Sequence, residues 1–308
     1  MNGWPCLAAA RRAVGGPRRP FRVAGRDVGS RDDPGAAALA AWPEAFRADA
    51  DGGLSLHVAA GERNAVLASV NNALRSQGLI RAWRDEPYAL FDRTGMLCGI
   101  IERASSRFWG ALTFGAHANG YVADPVTGRP SHLWIARRSW TKATDPGMLD
   151  NLVGGGVPHG QTPRQALQRE AWEEAGLEPA QLAGLRAGRV LELACDIPEG
   201  WQHEWLYAYD LELPAGLVPR NQDGEVAEHH LLPVQAALHH AASGAMTTDA
   251  ALATLDFALR HGLLPPDEAS LLAPRLAALC VSDEQAARFD PPGAGPAFSK
   301  SETPPQLA

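Results

Sequence analysis

The chain has 308 residues, 45% of them apolar and 20% charged, with 31 glycines and 24 prolines. This composition excludes wholesale disorder and fibrous architectures, and the length suffices for two domains with real cores. A formal charge of −7 argues against a protein that wraps a nucleic-acid polymer, because such binding rests on clustered Lys and Arg.

In chain order, residues 1–36 carry Gly, Pro and Arg with little periodicity and are expected to form a flexible arm. Residues 37–125 read as a small accessory α+β domain. There, Leu67, Val70 and Leu74 recur at helical spacing before Gly78, and two strands, 88–91 and 97–101, flank the turn signal Asp92-Arg93-Thr94-Gly95. Residues 126–283 form the second unit. A strand is expected at 132–136, then a Pro/Gly loop through Pro146-Gly147 and a tight loop at Gly154-Gly155-Gly156. Thr162 precedes Pro163 and stands three residues before Gln165, the pattern of a capping box, so a helix starts there and stops at Gly176. Strands at 189–194 and 204–213 and helices at 249–261 and 267–279 complete this part. The Pro-, Gly-, Ser- and Gln-rich stretch 284–308 is expected to be a disordered tail.

Cys6, Cys98, Cys195 and Cys280 lie far apart without a CxxC pair, so neither a zinc ribbon nor a disulfide framework fits, and the reducing cytoplasm is the simplest compartment. The apolar runs break well before the ~20 residues needed to span a bilayer. Arg11 and Arg12 follow the short apolar start instead of preceding it, so neither a membrane partner nor a secretory signal is expected.

The helix after Thr162 contains Arg169-Glu170-Ala171-Trp172-Glu173-Glu174-Ala175-Gly176. At about 100° per residue, Glu170, Glu173 and Glu174 share one face. Three carboxylates so close repel one another unless a cation sits among them, and a hard divalent ion such as Mg²⁺ suits oxygen donors. The plain alternative is a solvated face paired with Arg169. Upstream, Gly155 is followed after five residues by Gln161 and after seven more by Arg169-Glu170. The whole pattern resembles the Nudix box, Gly-x5-Glu-x7-Arg-Glu-U-x-Glu-Glu-x-Gly-U, where U is a bulky aliphatic residue. Two positions depart from it: Ala171 stands where a bulky aliphatic is usual, and Gln161 replaces a carboxylate with an amide that brings no charge.

The resemblance extends to residues 133–142 and 146–156, to Trp83-Arg84-Asp85-Glu86, Ile101-Glu102-Arg103-Ala104 and His117-x-Asn119-Gly120-Tyr121, and to residues 207–214 and 223–226. These are similar to the branch related to the Nudix part of fungal thiamine pyrophosphokinase fusions, without room for the kinase. The resemblance implies a Nudix α/β/α sandwich with a mixed sheet, preceded by a small α+β domain. It also implies a Mg²⁺-dependent hydrolase, with Mn²⁺ as the alternative ion, that converts an organic diphosphate to monophosphate and phosphate. Damaged thiamine diphosphates, oxythiamine or oxothiamine diphosphate, are the first expected substrates and 8-oxo-deoxyguanosine diphosphate the second. A non-catalytic ligand-binding module is the reading of another class, motivated by Gln161.

Within the box, the resemblance makes Glu170, Glu173 and Glu174 metal ligands, Glu170 a ligand or base, and Arg169 their orienting partner. Outside it, Lys142, Arg137 and Arg138 follow a buried strand and are candidates for gripping a diphosphate, a solvated basic loop being the alternative. Asn151 and Gly155 border the same site, Asn151 orienting substrate or making a turn. Glu225 is a further candidate metal ligand, or an exposed turn acid. Glu204 faces the pocket or the surface, and His117, Asn119 and Tyr121 read a ring or satisfy their own backbone. Trp201 and Trp205 stack on a ring or pack in the core. The adjacent pairs His229-His230 and His239-His240 lack ligand spacing. The small-molecule diphosphate is the expected partner, and the sequence leaves the oligomeric state open.

Overall fold

The computed structural model describes residues 3–289. In chain order the first part contains α1 (Cys6–Ala9), β1 (Arg19–Val23), β2 (Arg26–Arg31), α2 (Asp33–Leu39), β3 (Phe46–Ala48), β4 (Leu54–Leu56), α3 (Arg63–Ser76), β5 (Pro87–Phe91), β6 (Leu97–Glu102) and α4 (Ser106–Trp109). The second contains β7 (Leu112–Ala123), β8 (Pro130–Arg138), β9 (Leu149–Asp150), β10 (Val153–Gly156), α5 (Pro163–Ala175), β11 (Arg186–Ile197), β12 (Gly200–Glu212), β13 (Val226–Pro233), α6 (Val234–Ser243), α7 (Thr248–Arg260), α8 (Pro266–Ala277) and α9 (Asp283–Ala287).

The first part builds a four-stranded sheet in the order β2-β1-β4-β3 and the separate hairpin β5-β6. Phe21 and Val23 of β1 and Leu67, Val70 and Leu74 of α3 bury their side chains in one core, and Phe21 stacks on Trp109 at 4.5 Å between ring centroids. Such aromatic pairs add to what area burial alone supplies. Trp109 is fully buried, and its indole N–H donates to Asn71 Oδ1 at 2.8 Å, so the polar end of the ring is satisfied inside the core.

The second part is a mixed sheet in the order β11-β12-β7-β8-β13, with β10 added on β7 and β9 on β8. The β12-β7 pair is parallel, and the other pairs of this sheet are antiparallel. Helix α5 packs on one side through Ala166, Leu167, Ala171 and Ala175. On the other side α7 buries Leu252, Leu255 and Phe257. The result is the α/β/α arrangement with a mixed sheet, preceded by an α+β unit.

Three expectations need correction. The arm expected over residues 1–36 is built into the protein wherever it is described. Trp4, Cys6, Leu7 and Ala10 enter the core of α6, α7 and α8, while Phe21 and Val23 enter the first core. These apolar residues are too scattered for periodicity to reveal, yet each finds a slot. Along β11, the outermost strand, Ala194 donates its N–H to the Ala10 carbonyl, Asp196 to that of Arg12 and Glu192 to that of Leu279, while Val281 donates back to Val190. Second, residues 112–123, expected in the accessory unit, form the central strand of the large sheet, so His117, Asn119 and Tyr121 belong to that sheet. Third, of the tail expected over 284–308, residues 284–287 complete α9 and Phe289 is buried against Phe91, Phe114 and Trp205. The remainder of that stretch lies outside the described residues.

Candidate active site

Helix α5 begins as its sequence dictates. The Thr162 N–H donates to Gln165 Oε1 at 2.9 Å, and the Gln165 N–H donates to Thr162 Oγ1 at 3.1 Å, closing the capping box. Gly176, at φ +64°, ends the helix in the left-handed conformation. Ala171 is fully buried beneath the helix, so the small residue belongs to the packed face that holds α5 on the sheet.

This docking presses the acidic side of α5 onto β10. Glu174 is 5% exposed and accepts a hydrogen bond from the Gly154 N–H at 2.9 Å. Glu170, also buried, lies so close to Gly155 that a Cβ there would collide with its carboxylate. The three glycines are therefore strand residues, not the tight loop expected from sequence. Each lacks a side chain because something else fills the space: the His117 ring beside Gly154, Glu170 beside Gly155 and the Tyr88 hydroxyl beside Gly156.

Arg169 donates to Glu170 at 2.8 Å and to Glu173 at 2.7 Å and approaches Glu86 at 3.8 Å, so it bridges the two box carboxylates. Burial raises the Glu170 carboxyl above its ordinary range against the pull of Arg169. Burial pushes Glu174 up to about 8, with Lys142 pulling it back and the Glu170 charge pushing further. The Lys142 side chain is only 8% exposed and bridges two acids: Glu174 at 3.4 Å and Glu225 in a close ion pair. Glu225 also accepts from Arg84 at 3.0 Å. Although burial works against it, Lys142 and Arg84 together hold the Glu225 carboxyl below its usual value. A chain of alternating charge, Arg84–Glu225–Lys142–Glu174, thus ties the first unit to the box helix.

Beside the glycine strand opens a cleft of about 420 Å³ between the two units. Its basic lining comes from Arg81, Arg84, Arg103 and Arg107 of the first unit and Arg138 of the second. Its floor carries His117, Asp150, Gln202, Glu204 and Asp249. Arg107 donates to Glu204 at 2.9 Å. Burial opposes ionisation of Glu204, but the Arg107 charge and hydrogen bond outweigh it and keep this carboxyl low. Arg103 donates to Glu86 at 2.8 Å and lies 5.7 Å from the Tyr88 ring.

The other expected site residues divide. Arg138 lines the cleft, where it pairs with Asp150 at 2.8 Å. Arg137 is not brought to the cleft; it donates to the Gly147 carbonyl at 2.9 Å and pairs with Glu228 at 3.5 Å. Asn151 is buried and donates to Asn119 at 3.0 Å and Thr254 at 3.1 Å while contacting His117 at 3.0 Å, so it organises the strands under the cleft. Trp205 is core, packed on Phe114 and Phe289, and Trp201 sits beneath the Arg18 guanidinium at 4.9 Å. Gln161 is placed with its Oε1 buried and without a hydrogen-bond partner among the described residues.

Sequence reading gave no role to Arg84, Glu86, Tyr88, Arg103, Arg107, Gln202 or Asp249. The available signal was that Arg84, Glu86 and Arg103 fall inside the short first-unit segments that carry the resemblance.

The NUDIX domain model matches residues 119–251, and a domain of unknown function, DUF4743, matches residues 10–113. Two Arabidopsis thaliana proteins, Nudix hydrolase 20, chloroplastic, and Nudix hydrolase 24, chloroplastic, are 36% and 34% identical over 68% of this chain. The chain spans 56% and 58% of their lengths. An uncharacterized Nudix hydrolase of Rhodococcus erythropolis is 30% identical over 47% of this chain and 75% of its own. With the box helix folded onto its glycine strand and a Nudix relative matched over three quarters of that relative's length, the chain belongs to the Nudix family.

Proposed function

We propose that the protein is a divalent-metal-dependent hydrolase of an organic diphosphate. The observation that carries this reading is the placement of Glu170 and Glu174, buried and raised in pKa, against a glycine strand that also walls an arginine-lined cleft. Among the described residues no three His, Cys, Asp or Glu side chains already converge as a closed metal site. The donor set nevertheless fits a hard cation: Glu170, Glu173 and Glu174 offer carboxylate oxygens, and two of them are buried where extra positive charge is wanted. Bound there, Mg²⁺ or Mn²⁺ would polarise phosphorus and acidify a water. Glu225, held by Lys142 and Arg84, is a further donor once substrate phosphates draw those cations away.

The protein's own groups do the rest. Arg84, Arg103 and Arg107 present guanidiniums to the phosphate oxygens, and Arg169 fixes two box carboxylates. Water attacks phosphorus, one phosphoanhydride bond breaks, and phosphate and the organic monophosphate leave. Within this class we favour damaged thiamine diphosphates, because first-unit segments that carry the resemblance supply Arg84 and Arg103 to the cleft. With all four cysteines unpaired, the cytoplasm is our proposed compartment.

The test is phosphate release from oxythiamine diphosphate, thiamine diphosphate and 8-oxo-deoxyguanosine diphosphate, with Mg²⁺ and with chelator. Chelator-sensitive preference for oxythiamine diphosphate is expected. Preference for the nucleotide would replace the substrate. No turnover accompanied by ligand-induced stabilisation would favour a binding module.

A further inference from the structure

Three acids lie at the floor of the cleft, and two are committed. Glu204 is held by Arg107 and by the Thr113 hydroxyl at 3.2 Å. Asp150 is held by Arg138 and accepts from the Asn151 N–H at 2.9 Å. Asp249, in the first turn of α7, forms no close ion pair among the described residues, and His117 and Arg107 act on its charge only from a distance. Its one hydrogen bond there is a long contact of 3.5 Å from Gln202 Nε2. Gln202 itself is 7% exposed and lines the same cleft. One of its amide hydrogens faces Asp249, which leaves the second as a donor beside the free acceptor oxygen of Asp249.

An acceptor next to a donor, both set into protein, complements a ring edge that carries an N–H beside a carbonyl. We propose that Asp249, presented with Gln202, is the specificity-determining residue that reads such a lactam edge on the organic part of the diphosphate. This rests on the diphosphate-hydrolase reading and deepens it. The arginine wall and the box take the charged end of the molecule, and the floor takes the heterocycle. A site built on paired hydrogen bonds rejects a ligand lacking them far more strongly than an apolar pocket does, because its polar groups are left unmatched. Burial and the neighbouring Glu204 charge push Asp249 up to about 7, so its protonated form also offers a donor to the carbonyl.

The experiment compares the full-length wild type, Asp249→Leu and Asp249→Asn on oxythiamine diphosphate and on methyl diphosphate, which has no ring. Asp249→Leu is expected to lose about tenfold or more in kcat/KM on oxythiamine diphosphate, chiefly through KM. The loss on methyl diphosphate should be far smaller, and Asp249→Asn, which keeps an acceptor and a donor, should recover most of the activity. Equal losses on both substrates would overturn the proposal. Thermal stabilisation by oxythiamine monophosphate supplies a readout independent of turnover. If the wild type hydrolyses nothing yet is stabilised, and Asp249→Leu is not, the hydrolase reading fails and the ring site stands. Absence of stabilisation in the wild type would overturn the ring site.

Discussion

Helix α5 and residues 84–107 meet near one glycine strand but organise their charge in opposite ways. On α5 the acids are neighbours in sequence, and burial leaves Glu170 and Glu174 short of positive charge. In the first unit the basic residues come from separate short segments, and Arg84, Arg103 and Arg107 are each held by an acid. The contrast separates two jobs. On the function proposed above, the α5 face would attract a cation, and the first unit would hold guanidiniums in fixed directions until an anion competes for them.

The largest effect that would break this comparison is expected for Glu174→Gln, a loss of at least about a hundredfold in metal-dependent turnover with the fold intact. Turnover assays with Mg²⁺ alongside thermal melts check it, and a wild-type rate would remove the box from the chemistry. Next, Gly155→Ala places a methyl group against the Glu170 carboxylate. We expect about a ten- to hundredfold fall in kcat from the displaced carboxylate; an unchanged kcat would show that this close approach is dispensable. Third, Arg103→Met should raise KM about tenfold while leaving kcat nearly unchanged, as steady-state kinetics would show. A fall confined to kcat would move Arg103 from holding phosphate to the chemical step.

Two smaller effects sharpen the picture. Asp249 ionises at about 7 in the folded protein against an ordinary 3.8. Its folded form therefore keeps its proton longer, and the stability associated with it declines as pH rises through that window. In thermal melts from pH 4 to 8, Asp249→Asn should gain a few degrees relative to wild type, mainly at the alkaline end. Gln161→Glu is expected to change activity by no more than about threefold; a many-fold increase would mark the native protein as a weakened enzyme.

What the sequence made legible was local. The capping box, the shared face of the glutamates and the stop at Gly176 depend on spacings within one helix, and the structure keeps them. The central strand β7 escaped notice because Ala116, His117, Ala118 and Asn119 lack both the alternation and the β-branched residues of a strand. It is buried on both faces, and its polar members are satisfied by Asn151, Tyr209 and Ala253. The arginine wall was hidden for another reason: Arg84, Arg103 and Arg107 become one surface only when the first unit is laid against the second. Asp249 entered the sequence reading only as the first residue of the helix expected at 249–261. Nothing along the chain announces that Glu204 will lie beside it.

The two segments that cover the outer side of β11, residues 10–12 and 279–281, carry a practical consequence. A domain excised at the boundaries of the NUDIX match, residues 119–251, would lose both. It would bare a row of unpaired peptide groups, the usual template for strand-to-strand aggregation. Poor solubility of that fragment would then report a missing shield, and restoring those two segments would be the remedy.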